Sequence, residues 1–188
     1  MADHGSTWNI ICKNKKTLNK EKTKTQLDSW LQTNYYTYSN EWVYKNITPK
    51  IVCEKFMQDS ESQQLRDYKF FCFNGKPLYL KVVSNRYEEY AAHFFDMSWD
   101  KVELNSSSTV YRTPSPSKPA QFDEMVEVVE KLAKGFKYVR VDLYLVDQKI
   151  YFGEMTFYPD AGYGEYPSFL HRYLFGKQLN LHDPQNPY

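Results

Sequence analysis

Residues 138–157 read YVRVDLYLVDQKIYFGEMTF. In the first half apolar and polar side chains alternate, so Val139, Val141, Leu143 and Leu145 share one face of a strand and Arg140, Asp142 and Tyr144 the other. Asp147-Gln148 reads as a turn, and Ile150 to Phe157 as the returning strand, with Ile150, Phe152, Glu154 and Thr156 on one face. The length of the connection decides what stands opposite Asp142. A three-residue loop, Asp147 to Lys149, sets Glu154 there; a two-residue loop sets Gly153 there instead.

Two carboxylates on neighbouring strands, with Cβ atoms ~5 Å apart, repel each other unless a positive charge lies between them. Mg²⁺ would resolve the repulsion, because it takes oxygen ligands and is commonly held by one or two carboxylates plus phosphate oxygens. Thr156, two residues beyond Glu154, offers a third oxygen. The alternative is structural: Asp142 pairs with Arg140 or a lysine, and Glu154 is a solvated strand residue.

Upstream, Asp67 to Phe73 and Leu78 to Val83 are apolar, aromatic runs joined through Asn74-Gly75, a strong signal for a tight hairpin. Lys69, Lys76, Lys81 and Arg86 lie on or near it. Lys69 and Lys81 sit inside aromatic strands, where a cation needs an anionic partner, and a phosphate is one candidate; a solvated strand face is the other reading. Phe122, Met125, Val126, Val129 and Leu132 form a helical stripe closed by Gly135. Asn105 to Pro119, rich in Ser, Thr and Pro, reads as an exposed connection.

The first third is less regular. Trp8 to Lys16 predicts a strand, Gln26 to Leu31 a short helix capped near Thr25, and Ile51 to Phe56 a buried strand whose edge could meet a planar base. Asp59 to Gln64 reads as a loop, and His4-Gly5-Ser6 as a small-residue turn whose N–H groups could bind phosphate. Beyond Pro159 come a glycine-bearing turn, Asp160 to Gly164, and a closing helix over Pro167 to Leu181 ended by Gly176. The remaining histidines, His93, His171 and His182, show no ligand spacing.

With 188 residues the chain is long enough for one domain with a real core or for two small lobes. A net charge of +1 disfavours generic nucleic-acid or anionic-membrane binding. Aromatics at 18% exclude a disordered tail and favour a strand-rich interior. Cys12, Cys53 and Cys72 have neither disulfide-framework nor zinc spacing, and no apolar run has the length of a membrane span. The expectation is a soluble protein of the cytoplasm.

The runs Asp67 to Pro77, Val139 to Tyr144 and Tyr151 to Phe157 together resemble the TupA-like branch of the ATP-grasp superfamily, a branch associated with teichuronopeptide, capsule and other surface-polysaccharide gene clusters. The resemblance covers nearly the whole chain. It implies an α+β fold of ATP-grasp type, two small lobes of antiparallel sheet with packed helices, divided as residues 1–66 and 67–188. It implies ATP and Mg²⁺ as cofactors, and a ligase that phosphorylates a substrate carboxylate for attack by an amine.

Carried over by position, Asp142, Glu154 and Thr156 are similar to the metal ligands. Glu54, Lys55 and Phe56 resemble the hinge that meets adenine, and Asp59 the ribose contact. Lys69 and Lys81 resemble the cations facing the triphosphate, with Lys81 and Arg86 as catalytic candidates, and His4, Gly5 and Ser6 the loop over the phosphates. Complete members of the superfamily have a further N-terminal domain, so the expectation is a core lacking that part, with a partner chain as one way to supply it. The competing readings are a non-catalytic nucleotide-binding module and a glycosyltransferase-like polysaccharide biosynthesis protein.

Overall fold

The computed structural model describes residues 1–63, 65–84, 90–104, 114–162 and 169–179. Arg86 and residues 105–113 of the Ser/Pro-rich connection lie outside them. The chain forms two compact units, Met1–Met57 with Asp160–Tyr163, and Gln58–Pro159 with Gly164–Tyr188. The loop at Asp59 thus goes with the second unit rather than with residues 1–57, because Asp59 and Ser60 hydrogen-bond to Asp147.

In the first unit, α1 spans Lys20–Leu31 and starts six residues earlier than its apolar pattern suggests. Asn19 is the N-cap: its side chain accepts the Lys22 N–H at 2.9 Å. Thr25, expected at the cap, sits inside the helix with its hydroxyl on the Glu21 carbonyl. A short α2 (Tyr36–Ser39) and a 3₁₀ turn over Trp42–Tyr44 follow. Aromatic packing substitutes for an aliphatic core: Trp8 stacks on Trp30 with centroids 6.0 Å apart, and Tyr35 meets Trp8 edge-on at 5.2 Å.

Neither strand expected in this unit forms among the described residues. Trp8 to Lys16 is irregular, and Ile51 contributes only a single bridge to Ala2. Ile51, Val52 and Phe56 stay exposed, since no neighbouring strand is present to bury their β-branched and aromatic side chains.

The second unit is built on an antiparallel sheet in the order β3-β2-β1-β4-β5, formed by β1 (Asp67–Phe73), β2 (Lys76–Ser84), β3 (Ala91–Asp96), β4 (Tyr138–Val146) and β5 (Lys149–Thr156). Asn74 and Gly75 turn β1 into β2 with φ of 50° and 79°, the doubly left-handed turn that this dipeptide favours. Their N–H groups are stitched to the carbonyls of Lys137 and Phe136, which fixes the hairpin to the start of β4. β3 carries the run Ala91-Ala92-His93-Phe94-Phe95, which is buried throughout and so lacks the alternation that reveals a half-exposed strand.

α3 (Phe122–Ala133) lies on one face of the sheet and buries Phe122, Met125, Val129 and Ala133 against Phe70, Leu80, Val139 and Val141. Removing the Phe122 ring from such a site would cost about 3–5 kcal/mol. The opposite face divides along its length. Phe71, Phe73 and Phe94 pack with Phe175 of α4 (Phe169–Lys177), and the other end is left to charged side chains. No helix among the described residues is long and apolar enough to cross a membrane.

Candidate functional site

β4 and β5 are joined by a two-residue turn, Asp147 and Gln148, with φ of 48° and 63°. Simple counting from Val146↔Lys149 would set Gly153 against Asp142. Instead the ladder carries Leu143↔Phe152 and then Asp142↔Glu154, leaving Gly153 as the extra residue of a β-bulge. A Cβ on Gly153 would lie 2.9 Å from the Asp142 carbonyl oxygen, so the close approach requires glycine. The short turn and the bulge together bring the two carboxylates face to face.

The same register continues across the sheet. Phe94, Lys81, Lys69, Asp142 and Glu154 are successive ladder partners on β3, β2, β1, β4 and β5, one transverse row on the face away from α3. Lys69 pairs with Asp142 and, at 2.8 Å, with Asp67. Arg140 grips Asp142 with Nε donating to Oδ1 at 2.8 Å and Nη2 to Oδ2 at 2.9 Å, and the same Nη2 reaches Glu154 Oε1 at 2.8 Å and Thr156 Oγ1 at 3.0 Å. The side chains of Asp142 and Asp67 are 1% and 3% exposed, whereas that of Glu154 is 58% exposed.

Burying such carboxylates is tolerated only because each has a cation in contact. Arg140 stays charged: burial opposes it, but the carboxylates of Asp142 and Glu154 more than compensate and raise its pKa. Lys81 differs from Lys69. Its ammonium lies 5.5 Å from the Phe94 ring centroid and makes no ion pair among the described residues. Two lysines directly opposite each other are unfavourable unless an anion is near; Lys69 has its carboxylates, while Lys81 has the Phe94 ring among the described residues.

The other residues singled out in the sequence do not join this row. Asp59 accepts the N–H groups of Glu61, Ser62 and Asp147 and the Ser62 hydroxyl, which commits its carboxylate to holding the loop. Glu54, Lys55 and Phe56 are exposed, outside any strand, in the first unit. His4 is 2% exposed, its Nε2–H donating to the Trp30 carbonyl at 2.8 Å, and Gly5 is packed so closely on Trp8 that a Cβ would come within 2.6 Å. Ser6 bonds to the Tyr35 hydroxyl. These three residues hold the first unit together. Arg86 lies outside the described residues.

Sequence reasoning passed over Asp67, and it gave Arg140 no task beyond pairing with Asp142. Both were signalled by i, i+2 spacing, Asp67 with Lys69 and Arg140 with Asp142, which puts each pair on one face of its strand.

The donor set suits Mg²⁺. Among the described residues no three His, Cys, Asp or Glu side chains gather into a metal cage. Two facing carboxylates and a hydroxyl match an ion that keeps waters and completes its shell with phosphate oxygens.

An antiparallel sheet with helices, carrying carboxylates and lysines in one row, defines an α+β protein. A family model described as TupA-like ATP-grasp matches residues 1–176, and the chain belongs to that ATP-binding family. No curated protein and no solved structure matches the chain.

Proposed function

We propose that the chain binds ATP with Mg²⁺ on the charged face of β1, β2, β4 and β5, and that it serves as an ATP-dependent carboxylate–amine ligase, working through an acylphosphate, in cell-surface polysaccharide biosynthesis. The observation that carries this reading is the pairing of Asp142 with Glu154 in the same row as Lys69 and Lys81. Asp142 and Glu154, with Thr156 beside them, would hold the metal, which supplies charge neutralisation to a transferring phosphoryl group. Lys81 presents an ammonium to the phosphates, Lys69 pairs with Asp142 and holds it in place, and Arg140 is a bidentate donor suited to phosphate or carboxylate oxygens.

The test is nucleotide binding by calorimetry with and without Mg²⁺, repeated with Asp142→Asn and Glu154→Gln. Metal-dependent binding weakened by both substitutions supports the reading. Absence of binding in a folded protein, or indifference to metal and to both changes, sinks it.

One observation favours a non-catalytic nucleotide-binding module as second reading: Asp142 is already saturated by Lys69 and Arg140. Turnover of ATP with candidate amines and carboxylates separates the two.

A further inference from the structure

A single guanidinium reaches both carboxylates proposed for Mg²⁺. It is bidentate on Asp142 and donates to Glu154 at 2.8 Å, so a cation already occupies the two side chains that would hold a divalent ion. The surrounding charges balance as well. Asp67, Asp142 and Glu154 face Lys69 and Arg140, with Lys81 one strand further along the row. A bare divalent cation therefore meets no net negative field and must displace a charge-assisted, largely desolvated pairing.

The two arms of Arg140 are unequal. Its bonds to Asp142 are buried, whereas Glu154 is 58% exposed and can be released into water without stranding a charge. A phosphate group offers the guanidinium the same planar, bidentate acceptor geometry as a carboxylate.

The geometry points to Arg140 as an internal counter-ion that keeps the Asp142–Glu154 pair closed to free Mg²⁺ and yields it only when a triphosphate arrives to accept the guanidinium. Metal and nucleotide then bind synergistically, each poorly alone, and Arg140 is a positioning residue for the metal. The inference rests on the nucleotide-binding reading above and adds an order of events to it.

Mn²⁺ in place of Mg²⁺ makes the metal visible by electron paramagnetic resonance, and the full chain is titrated without nucleotide. Arg140→Gln is expected to bind Mn²⁺ alone about tenfold or more tightly than wild type, within the usual range of coupling between sites, and the gain is expected to vanish in Arg140→Gln/Glu154→Gln. Equal Mn²⁺ affinities in wild type and a folded Arg140→Gln overturn the inference.

Should Arg140→Gln fail to fold, wild type against Glu154→Gln decides. Without ATP the two should bind Mn²⁺ alike, and with a non-hydrolysable ATP analogue wild type should hold it about tenfold more tightly. A loss of Mn²⁺ binding in Glu154→Gln without nucleotide overturns the proposal. Failure of wild type to bind the ATP analogue at any metal concentration removes the nucleotide reading itself. Intact ATP binding removes this inference alone if wild type and Arg140→Gln bind Mn²⁺ equally without nucleotide, or if wild type and Glu154→Gln bind it equally with the ATP analogue.

Discussion

Asp59 and Asp147 hold each other's backbone: Asp59 Oδ2 accepts the Asp147 N–H at 3.0 Å, and Asp147 Oδ1 accepts the N–H of Ser60, the residue after Asp59, at 2.9 Å. The pair ties the loop ahead of β1 to the β4–β5 turn. The Ser62 and Asp147 N–H groups stabilise ionised Asp59 and lower its pKa from 3.8 to about 2, and bonds from Ser60 lower that of Asp147. A folded-state pKa below the unfolded one means stability that is complete above the unfolded value and lost as pH falls through the folded one. Thermal melts should therefore show an acid-side decline between about pH 4 and pH 2. Asp59→Asn should flatten part of it and lower stability at neutral pH by about 1 kcal/mol, the scale of a lost cap. An unchanged acid profile in Asp59→Asn would show that the reciprocal clasp does not form.

Lys69→Met should destabilise by about 3–5 kcal/mol, because it removes a cation shared by two buried carboxylates. Lys69→Arg should recover part of the loss. Urea unfolding measures both, and a Lys69→Met cost near zero would mean that Asp67 and Asp142 find other partners.

Lys81→Met is the contrasting case. Among the described residues Lys81 has only an aromatic contact to lose, so the folding free energy should change by less than about 1 kcal/mol, while ATP affinity in the presence of Mg²⁺ should fall about tenfold if the ammonium meets phosphate. Intact nucleotide affinity would exclude Lys81 from the site.

Cys72, in β1, is fully buried, and burial pushes its thiol up to about 12. Cys53 is exposed. A thiol reagent at mildly alkaline pH should label Cys53 quickly and reach Cys72 only at the rate of unfolding. Rapid labelling of Cys72 would indicate that the sheet opens locally between β1 and β4.

The parts of the fold legible in the sequence were those in which local chemistry and packing agree. Asn74-Gly75 permits one kind of turn, the α3 stripe has one face to bury, and β4 alternates because one face meets α3 and the other does not. Ile51 to Phe56 misled because β-branched density says nothing about whether a partner strand exists. The first half of α1 was hidden because Lys20 to Thr25 bury nothing, so no apolar period marks them; Asn19 was its only signal. Within the site, spacing put Arg140 and Asp142 on one face, but the span of one guanidinium across Asp142, Glu154 and Thr156 depends on the ladder register, which counting around the turn did not supply.

Gly153 carries a consequence for how β5 tolerates changes in length. Because it has no ladder partner, excising Gly153 would leave Glu154 still opposite Asp142. The position least able to accept a methyl group is thus one the strand can do without.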